Sequence, residues 1–123
     1  MDLCPCGRAR EFETCCGAIH AGAPATTAED LMRSRYSAYV VGDAEYLRHS
    51  WAPETCPAEL SLDPATRWTG LQVVDTVGGG ALAATGIVEF VASYEHPHGP
   101  GVRAERSTFR RETGRWVYVD AEG

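Results

Sequence analysis

The sequence has no long hydrophobic run. Within its 123 residues, no stretch approaches the roughly eighteen consecutive apolar residues that predict a membrane-spanning helix. No hydrophobic signal segment precedes Cys4, so we expect the chain to stay in the reducing cytoplasm. Internal repeats and low-complexity tracts are also lacking, and a chain of this length fits one modest hydrophobic core. These absences predict a small cytoplasmic globular protein without a membrane partner.

Positive charge is in short supply. The chain has 11 lysines and arginines against 17 acidic residues, which gives a formal charge of −6 at pH 7. This balance argues against broad, sequence-independent binding of nucleic acid. A local basic spot is still expected in the first third, from Arg8, Arg10, Arg33 and Arg35. The sequence also shows no Ser–His–Asp order and no Cys–His pairing that would indicate a nucleophilic enzyme.

Four of the five cysteines form two close pairs near the start of the chain: Cys4, Cys6, Cys15 and Cys16. Two thiol pairs across a short spacer supply the tetrahedral set that Zn²⁺ binds at about 2.3 Å, and they predict a structural zinc ion. Disulfides are the alternative. The Cα atoms of adjacent cysteines lie about 3.8 Å apart, closer than a normal bridge prefers, but a two-bridge clasp across the spacer stays open.

Two further residues bear on this metal site. His20 is a substitute ligand four residues beyond the last cysteine of the cluster. We expect it to be exposed or hydrogen-bonded instead, because four thiolates already complete the shell. Cys56 is left over under either interpretation, and we expect an ordinary free thiol.

Two helices are predicted behind the cysteine segment. Thr27, with Asp30 three residues on, is close to a capping box and starts a helix that Gly42 ends. Asp43 caps a shorter second helix that extends to Trp51. In the first helix, an apolar stripe of Leu31, Ala38 and Val41 is expected to face the core, with Arg33 and Ser37 on the other side.

A sheet is predicted from Trp68 onwards, where the pattern changes to a period of two. Strands are expected at residues 68–76, 81–94, 102–112 and 116–120, with glycine- and proline-rich turns between them. Such short connections make an antiparallel meander, and a bend or bulge is expected in strand 81–94 because of its length. The fold class is therefore α+β: an N-terminal zinc knuckle and two helices packed on a curved antiparallel sheet of about four strands.

Several motifs resemble those of a known family. The stretch from Cys4 to Gly17, Cys-Pro-Cys-Gly-Arg-Ala-Arg-Glu-Phe-Glu-Thr-Cys-Cys-Gly, resembles the SEC-C zinc motif known from the translocase motor SecA. The continuation from Ala28 to Val40 resembles the YchJ-like family of small bacterial proteins. Later segments match that family too: Trp68–Leu71, Gly86–Phe90, Glu105–Phe109 and Trp116–Asp120.

This resemblance implies a zinc knuckle over residues 1–22 and a nuclear-transport-factor-2-like (NTF2-like) domain over residues 23–123. An NTF2-like domain is a cone formed by a curved sheet and the helices that close it. The family brings no function with it, because it is uncharacterised.

A pocket is the second candidate site, since alternation on the strands puts carboxylates beside aromatic residues. Alternation leaves open which sheet face lines the cone, and the candidate pocket residues come from the helices and strands around it: Tyr36, Trp51, Glu89, Glu105, Trp116, Tyr118 and Asp120. In the functional interpretation, Glu89 or Asp120 is a general acid or base. The favoured interpretation is a solvated sheet face with cross-strand ion pairs.

The two arginines of the first helix belong to the same question. Arg33 and Arg35 lie about 200° apart around the helix. We expect one of them to form an inward salt bridge, to Glu89 or Asp120, and the other to face water or the knuckle.

Two functions follow from these features. In the first, the protein is a binding module whose knuckle, with Arg8, Arg10 and Phe12 exposed beside the metal, docks on a protein or ribonucleoprotein partner. The cone is then a scaffold or binds a small ligand. In the second, it is a small-molecule enzyme (a hydrolase, isomerase or dehydratase) that uses a carboxylate in the cone. The second function requires a cavity above roughly 300 Å³.

Overall fold

A computed structural model describes residues 2–121. A short 3₁₀ turn at Phe12–Thr14 precedes three helices and four strands. The helices are α1 (Cys16–His20), α2 (Ala28–Val41) and α3 (Ala44–His49). The strands are β1 (Arg67–Gly78), β2 (Thr85–Glu95), β3 (Gly101–Glu112) and β4 (Arg115–Ala121). Within residues 2–121, every helix is too short or too polar to span a lipid bilayer.

The predicted helix caps of α2 and α3 are confirmed. The Thr27 hydroxyl accepts a hydrogen bond from the Asp30 amide, and Gly42 ends α2 in the left-handed conformation with φ of 79°. The Asp43 carboxylate accepts from the Tyr46 amide and starts α3. These polar side chains satisfy amides that the first turn of a helix leaves without a partner.

Helix α3 ends at His49, earlier than predicted. Beyond it, the chain pairs in parallel with β4, through an isolated bridge between Trp51 and Tyr118. The Ala52 amide donates to the Tyr118 carbonyl at 2.7 Å, and the Tyr118 amide donates to the Ser50 carbonyl at 2.8 Å. Trp51 therefore lies in an extended segment beside the sheet, and this pairing positions its ring.

The four strands form one antiparallel meander in the order β1-β2-β3-β4, as predicted. Strand β2 begins at Thr85 instead of at position 81, because residues 79–85 close a turn in which the Gly79 amide donates to the Thr85 carbonyl. A Cβ at Gly86 would lie 2.6 Å from the Gly79 Cα, so this close approach requires glycine. The Gly79 carbonyl accepts from the Ala28 amide and so holds the start of α2 against the sheet.

A bend or bulge was predicted in β2, but the bulges of the sheet lie on β1 and β4. Strand β2 pairs with β3 without a register shift. The extra residues lie on β1, at Thr69 and Val74, and on β4, at Val119. A bulge leaves one residue unpaired and bends its own strand, so the two edge strands carry the irregularity of this sheet.

The main core lies between α2 and one face of the sheet. Its buried members are Ala28, Leu31, Met32, Val88, Phe109 and Trp116. A second apolar cluster joins α2 to α3 through Ala38, Tyr46 and Leu47.

The predicted stripe on α2 is wrong at two positions. Val41 is 53% exposed, whereas Ser37 is fully buried. Ser37 is buried because the cysteine segment covers that side of the helix, where the Cys4 Sγ lies 3.5 Å from the Ser37 Oγ.

Candidate metal centre and cone pocket

The four sulfurs of the cysteine segment form one compact cluster. All four side chains are buried, and their Sγ atoms lie within 4.8 Å of one another. The Sγ atoms of Cys6 and Cys15 are 3.6 Å apart. Tetrahedral sulfurs about 2.3 Å from a metal ion are separated by about 3.8 Å, while a disulfide requires about 2.05 Å. The arrangement therefore fits a metal ion, and all four cysteines are free.

Local backbone structure brings the two thiol pairs together. Leu3 and Glu11 form an antiparallel bridge, and the Cys4 amide donates to the Arg10 carbonyl at 2.7 Å. The second pair lies where the 3₁₀ turn meets α1. A Cβ at position 17 would lie 2.7 Å from the Phe12 carbonyl oxygen, so Gly17 allows this tight approach.

Electrostatics favours a cation among the four thiols. A hydrogen bond from Cys16 is the main cause that lowers the pKa of Cys6 to about 4. Burial is the main cause that raises the pKa of Cys15 to about 11, and the hydrogen bond with Cys6 raises the pKa of Cys16. One thiolate can thus form among these groups, but each further negative charge is opposed. A divalent ion would supply the compensating charge.

His20 is not part of this cluster. Its Nε2 is 2.7 Å from the Ser34 carbonyl oxygen, and its ring packs on Tyr46 with centroids 4.4 Å apart. The expectation of a hydrogen-bonded histidine is confirmed. Cys56 is half-buried, and its thiol contacts the carbonyl of Pro57.

Polar contacts dock the knuckle on α2. Arg33 donates to the Cys6 carbonyl oxygen through Nη1 and to Glu29 through Nε. Arg8 pairs with Asp30 and with Glu29. Of the two helix arginines, Arg33 is thus the one that faces the knuckle, which was one of the two predicted outcomes.

The predicted exposed surface of the knuckle needs correction. Arg8 is engaged by the two carboxylates of α2, and Phe12 is half-buried against the cysteine cluster. Arg10 is exposed as predicted. Leu3, which the sequence analysis did not single out, is 65% exposed.

A pocket of about 210 Å³ opens on the cone side of the sheet. Four of the seven predicted residues line it: Tyr36, Trp51, Glu105 and Tyr118. Arg35, Trp68 and Ser107 also line it and were not among the predicted residues. Tyr36 and Arg35 come from α2, Trp51 from the segment after α3, and the others from the sheet.

The structure places the other three predicted residues elsewhere. Glu89 projects from the opposite face of β2 and pairs with Arg106 at 2.9 Å, since the neighbouring residues Val88 and Phe90 face the helices. Trp116 is buried in the core, where its indole N–H donates to the Thr26 carbonyl oxygen. Asp120 is exposed and lies beyond the bulge of β4.

Arg35 is the pocket residue whose role the sequence analysis missed. It is 6% exposed, and its Nη1 donates to the Leu47 carbonyl at 2.9 Å and to the Ser50 hydroxyl at 2.7 Å. Its guanidinium carbon lies 4.7 Å from the ring centre of Trp51 and 4.6 Å from that of Tyr118.

The prediction that one of the two helix arginines forms an inward salt bridge to Glu89 or Asp120 is wrong: Arg33 faces the knuckle, and the inward residue is Arg35. No carboxylate among residues 2–121 pairs with this guanidinium, because both predicted partners lie outside the pocket. Burial is the main cause that lowers the pKa of Arg35. A sequence signal was available, because helical spacing puts Arg35 on the same stripe as Leu31 and Ala38.

Glu105 is the carboxylate of the pocket. The Ser107 hydroxyl donates to it at 2.7 Å, and Arg103 lies 3.6 Å away at the mouth. Burial, and then the charge of Glu105, raise the pKa of Tyr118 to about 12. The indole N–H of Trp51 is buried with no hydrogen-bond acceptor among the described residues. The pocket thus combines aromatic walls, a buried cation and unused hydrogen-bond donors.

A four-cysteine knuckle docked on an α+β cone defines a class: NTF2-like domains with an N-terminal SEC-C motif. Family models agree with this assignment. The model described as "YchJ, middle NTF2-like domain" matches residues 27–121, and the SEC-C motif model matches residues 2–18. The chain belongs to the YchJ-like family, as the resemblance of its motifs predicted.

Relatives from several bacteria cover nearly the whole chain. A UPF0225 protein of Streptomyces coelicolor is 55% identical over 120 residues, which cover 97% of this chain and 94% of the relative. A UPF0225 protein of Xanthomonas campestris pv. campestris is 51% identical over 123 residues, with coverage of 98% and 94%.

Two solved structures share the fold. The solution structure of a SEC-C motif containing protein from Rhodopseudomonas palustris has a TM-score of 0.83 at 29% identity, and the match covers 99% of this chain and 98% of that one. The crystal structure of a SEC-C motif containing protein from Psychrobacter arcticus has a TM-score of 0.78 at 28% identity, with coverage of 98% and 81%.

Proposed function

We propose that this protein is a cytoplasmic binding module. Its knuckle, closed around a structural zinc ion, docks on a protein or ribonucleoprotein partner. The cone domain holds the knuckle and offers a pocket to a small ligand. The proposal rests on two features of the knuckle. Its four thiols are buried and lie close together, while Leu3 and Arg10 are exposed on its outer surface.

The chemistry of the four sulfurs supports zinc. Tetrahedral all-thiolate sites are typical of zinc or of iron–sulfur centres, and a mononuclear site needs sulfurs about 3.8 Å apart, close to the 3.6 Å between Cys6 and Cys15. Elemental analysis of protein prepared without added metal tests this assignment. One zinc per chain is the expected result, and the absence of metal together with a mass that indicates disulfides would refute it.

The same sulfurs argue against catalysis at the metal. A shell of four thiolates leaves no open coordination position for water or substrate. The enzyme alternative in the cone is weakened as well, because the pocket of about 210 Å³ is smaller than the roughly 300 Å³ that small-molecule sites usually reach. Glu89 and Asp120, its proposed acid or base, lie outside that pocket.

Substitutions on the outer surface test docking better than deletion of the knuckle does. Deletion would uncover Ser34 and Ser37, both fully buried on α2, and would so confuse misfolding with loss of binding. The variants Leu3→Glu and Arg10→Glu change exposed side chains only. Leu82→Glu is a matched control, because Leu82 is a fully exposed leucine in the turn between β1 and β2.

The measurement is quantitative mass spectrometry of proteins that co-purify with each variant from its native host. The two knuckle variants are expected to lose a shared set of partners that the wild type and Leu82→Glu retain. Treatment with ribonuclease separates a direct protein partner from a ribonucleoprotein. If all four proteins retrieve the same set of partners, the docking proposal is refuted.

A further inference from the structure

The buried guanidinium of Arg35 has more hydrogen-bond donors than the protein uses. An arginine carries five N–H donors. The hydrogen bonds to Leu47 and Ser50 both come from Nη1. Among residues 2–121, Nε and Nη2 have no acceptor, and the side chain, which is 6% exposed, lines the cone pocket. Among the described residues, the Trp51 indole nitrogen is the buried side-chain nitrogen without a partner, so Nε and Nη2 of Arg35 are open to the pocket, where water or a ligand can accept from them.

We propose that the cone pocket binds a small monocarboxylate whose two oxygens accept from the Nε and Nη2 of Arg35. The inference rests on the ligand-binding role proposed for the pocket and adds the chemical class of the ligand. The two unused nitrogens lie on one edge of the planar guanidinium. That edge matches the two oxygens of a carboxylate in a bidentate pair.

Charge selects a ligand with one negative charge. Glu105, the carboxylate that lines the pocket, already accepts from Ser107 and lies 3.6 Å from Arg103. Arg35 is therefore the one lining charge that no opposite charge of the described residues balances. A monoanion neutralises it. A phosphate dianion would leave an excess negative charge near Glu105, which is unfavourable in a poorly solvated site.

Size and wall chemistry define the rest of the ligand. Aromatic rings of Tyr36, Trp68 and Phe90 line the pocket. An apolar cavity of about 150 Å³ holds benzene, so a volume of about 210 Å³ has room for roughly eight to ten non-hydrogen atoms. The buried indole N–H of Trp51, which also lines the pocket, is a further donor without an acceptor. An aromatic or short branched carboxylate fits this combination.

A purely structural role accounts for part of these contacts. The Nη1 of Arg35 binds the carbonyl of Leu47 and the Ser50 hydroxyl at the C-terminal end of α3, and so fastens that helix to α2. This structural role does not explain the free Nε and Nη2 donors, the unpaired indole N–H of Trp51 or the adjoining cavity. A signal from the free Nε–H of Arg35 therefore distinguishes ligand binding from this structural role.

The probes are benzoate, its neutral amide benzamide, and inorganic phosphate, each titrated into ¹⁵N-labelled wild-type protein. Benzoate is expected to shift the Nε–H resonance of Arg35 and the indole N–H resonance of Trp51, while benzamide and phosphate leave that of Arg35 in place. Equal shifts with benzamide would keep the pocket as a ligand site and refute the carboxylate. A stronger response to phosphate would refute the monoanion, and no response to any probe would refute both the class and the ligand role.

Variants provide the second readout. Arg35→Met removes the guanidinium and is expected to weaken benzoate binding about ten- to a hundredfold, the usual range for a lost charge-assisted pair. Arg111→Met is a matched control, since Arg111 also packs on a tryptophan ring, 4.8 Å from the centre of Trp116, and donates to backbone carbonyls outside the pocket. Unchanged affinity in a folded Arg35→Met variant would overturn the proposal. If that variant does not fold, the wild-type titrations still decide it.

Discussion

Removal of the metal is expected to loosen more of the protein than the knuckle. Besides its own cysteines and Phe12, the segment from residue 2 to residue 20 contributes only Ile19 to a hydrophobic cluster, so without an ion it has no core of its own to hold it. However, the knuckle also covers α2, where Ser34 and Ser37 are fully buried. Chelation should therefore unfold the knuckle, expose one side of α2 and leave the sheet folded.

The contacts between knuckle and helix set the size of the effect. The bond between His20 and the Ser34 carbonyl is worth about 1 kcal/mol, and the charged bond from Arg33 to the Cys6 carbonyl about 1.5 kcal/mol. The partly exposed pairs of Arg8 with Glu29 and Asp30 add at most about 1 kcal/mol. The remaining domain should lose about 3 to 4 kcal/mol. At about 4 °C for each kcal/mol in a domain of this size, the Tm should fall by about 12 to 16 °C.

Thermal unfolding by circular dichroism, with and without a zinc chelator, measures this decrease. Hydrogen exchange locates it: protection should be lost over residues 2–20 and on α2, and retained in β2 and β3. The variant Cys4→Ser/Cys6→Ser should behave like the chelated protein. Cys56→Ser is the control and should leave the Tm unchanged, since that thiol is outside the cluster. An unchanged Tm after verified metal removal, or loss of protection across the whole sheet, would refute the reasoning.

Three further predictions concern single side chains. Ser37→Val should cost about 1 to 3 kcal/mol of stability and weaken metal retention, because overpacking at this fully buried position pushes on Cys4. Chemical denaturation measures the stability, and a chelator competition assay measures the retention of metal. Full retention of metal would contradict the prediction. Leu47→Ala should lower the free energy of unfolding by about 3 to 5 kcal/mol, since the side chain is fully buried between α2 and α3. A decrease below about 1 kcal/mol in denaturant titrations would show that this cluster is not a packed core. Tyr118 has a folded-state pKa of about 12 against an ordinary value of 10.0. Its contribution to the free energy of unfolding is therefore complete below pH 10 and declines as the pH rises from about 10 to 12. In Tyr118→Phe, the decrease of stability with pH over that range should become shallower.

The sequence predicted those parts of the structure that depend on residues close in the chain. The caps at Thr27 and Asp43, the end of α2 at Gly42 and the four-stranded meander all follow from local chemistry, and all are present. The cysteine cluster could be predicted for the same reason, since each thiol pair lies within one turn. The two pairs need only a short spacer to meet.

Predictions failed where a distant segment changed the environment of a residue. Ser37 was predicted on the side of α2 opposite the apolar stripe, but the knuckle covers that side and buries it. Glu89 and Asp120 alternate correctly along their strands, but the face of the sheet that receives the helices, and the bulge at Val119, place them outside the pocket. Arg35 lost its expected carboxylate partners for that reason.

The sequence by itself thus determined the four-cysteine cluster, the family and the order of helices and strands, because short-range spacing and capping carry that information. Only the tertiary structure decided which residues share the pocket, and that Arg35 lies there without an opposite charge. The choice of sheet face, the bulges and the parallel pairing of Trp51 with Tyr118 bring together residues far apart in the chain. Local preferences do not encode such contacts, since they depend on how whole elements pack.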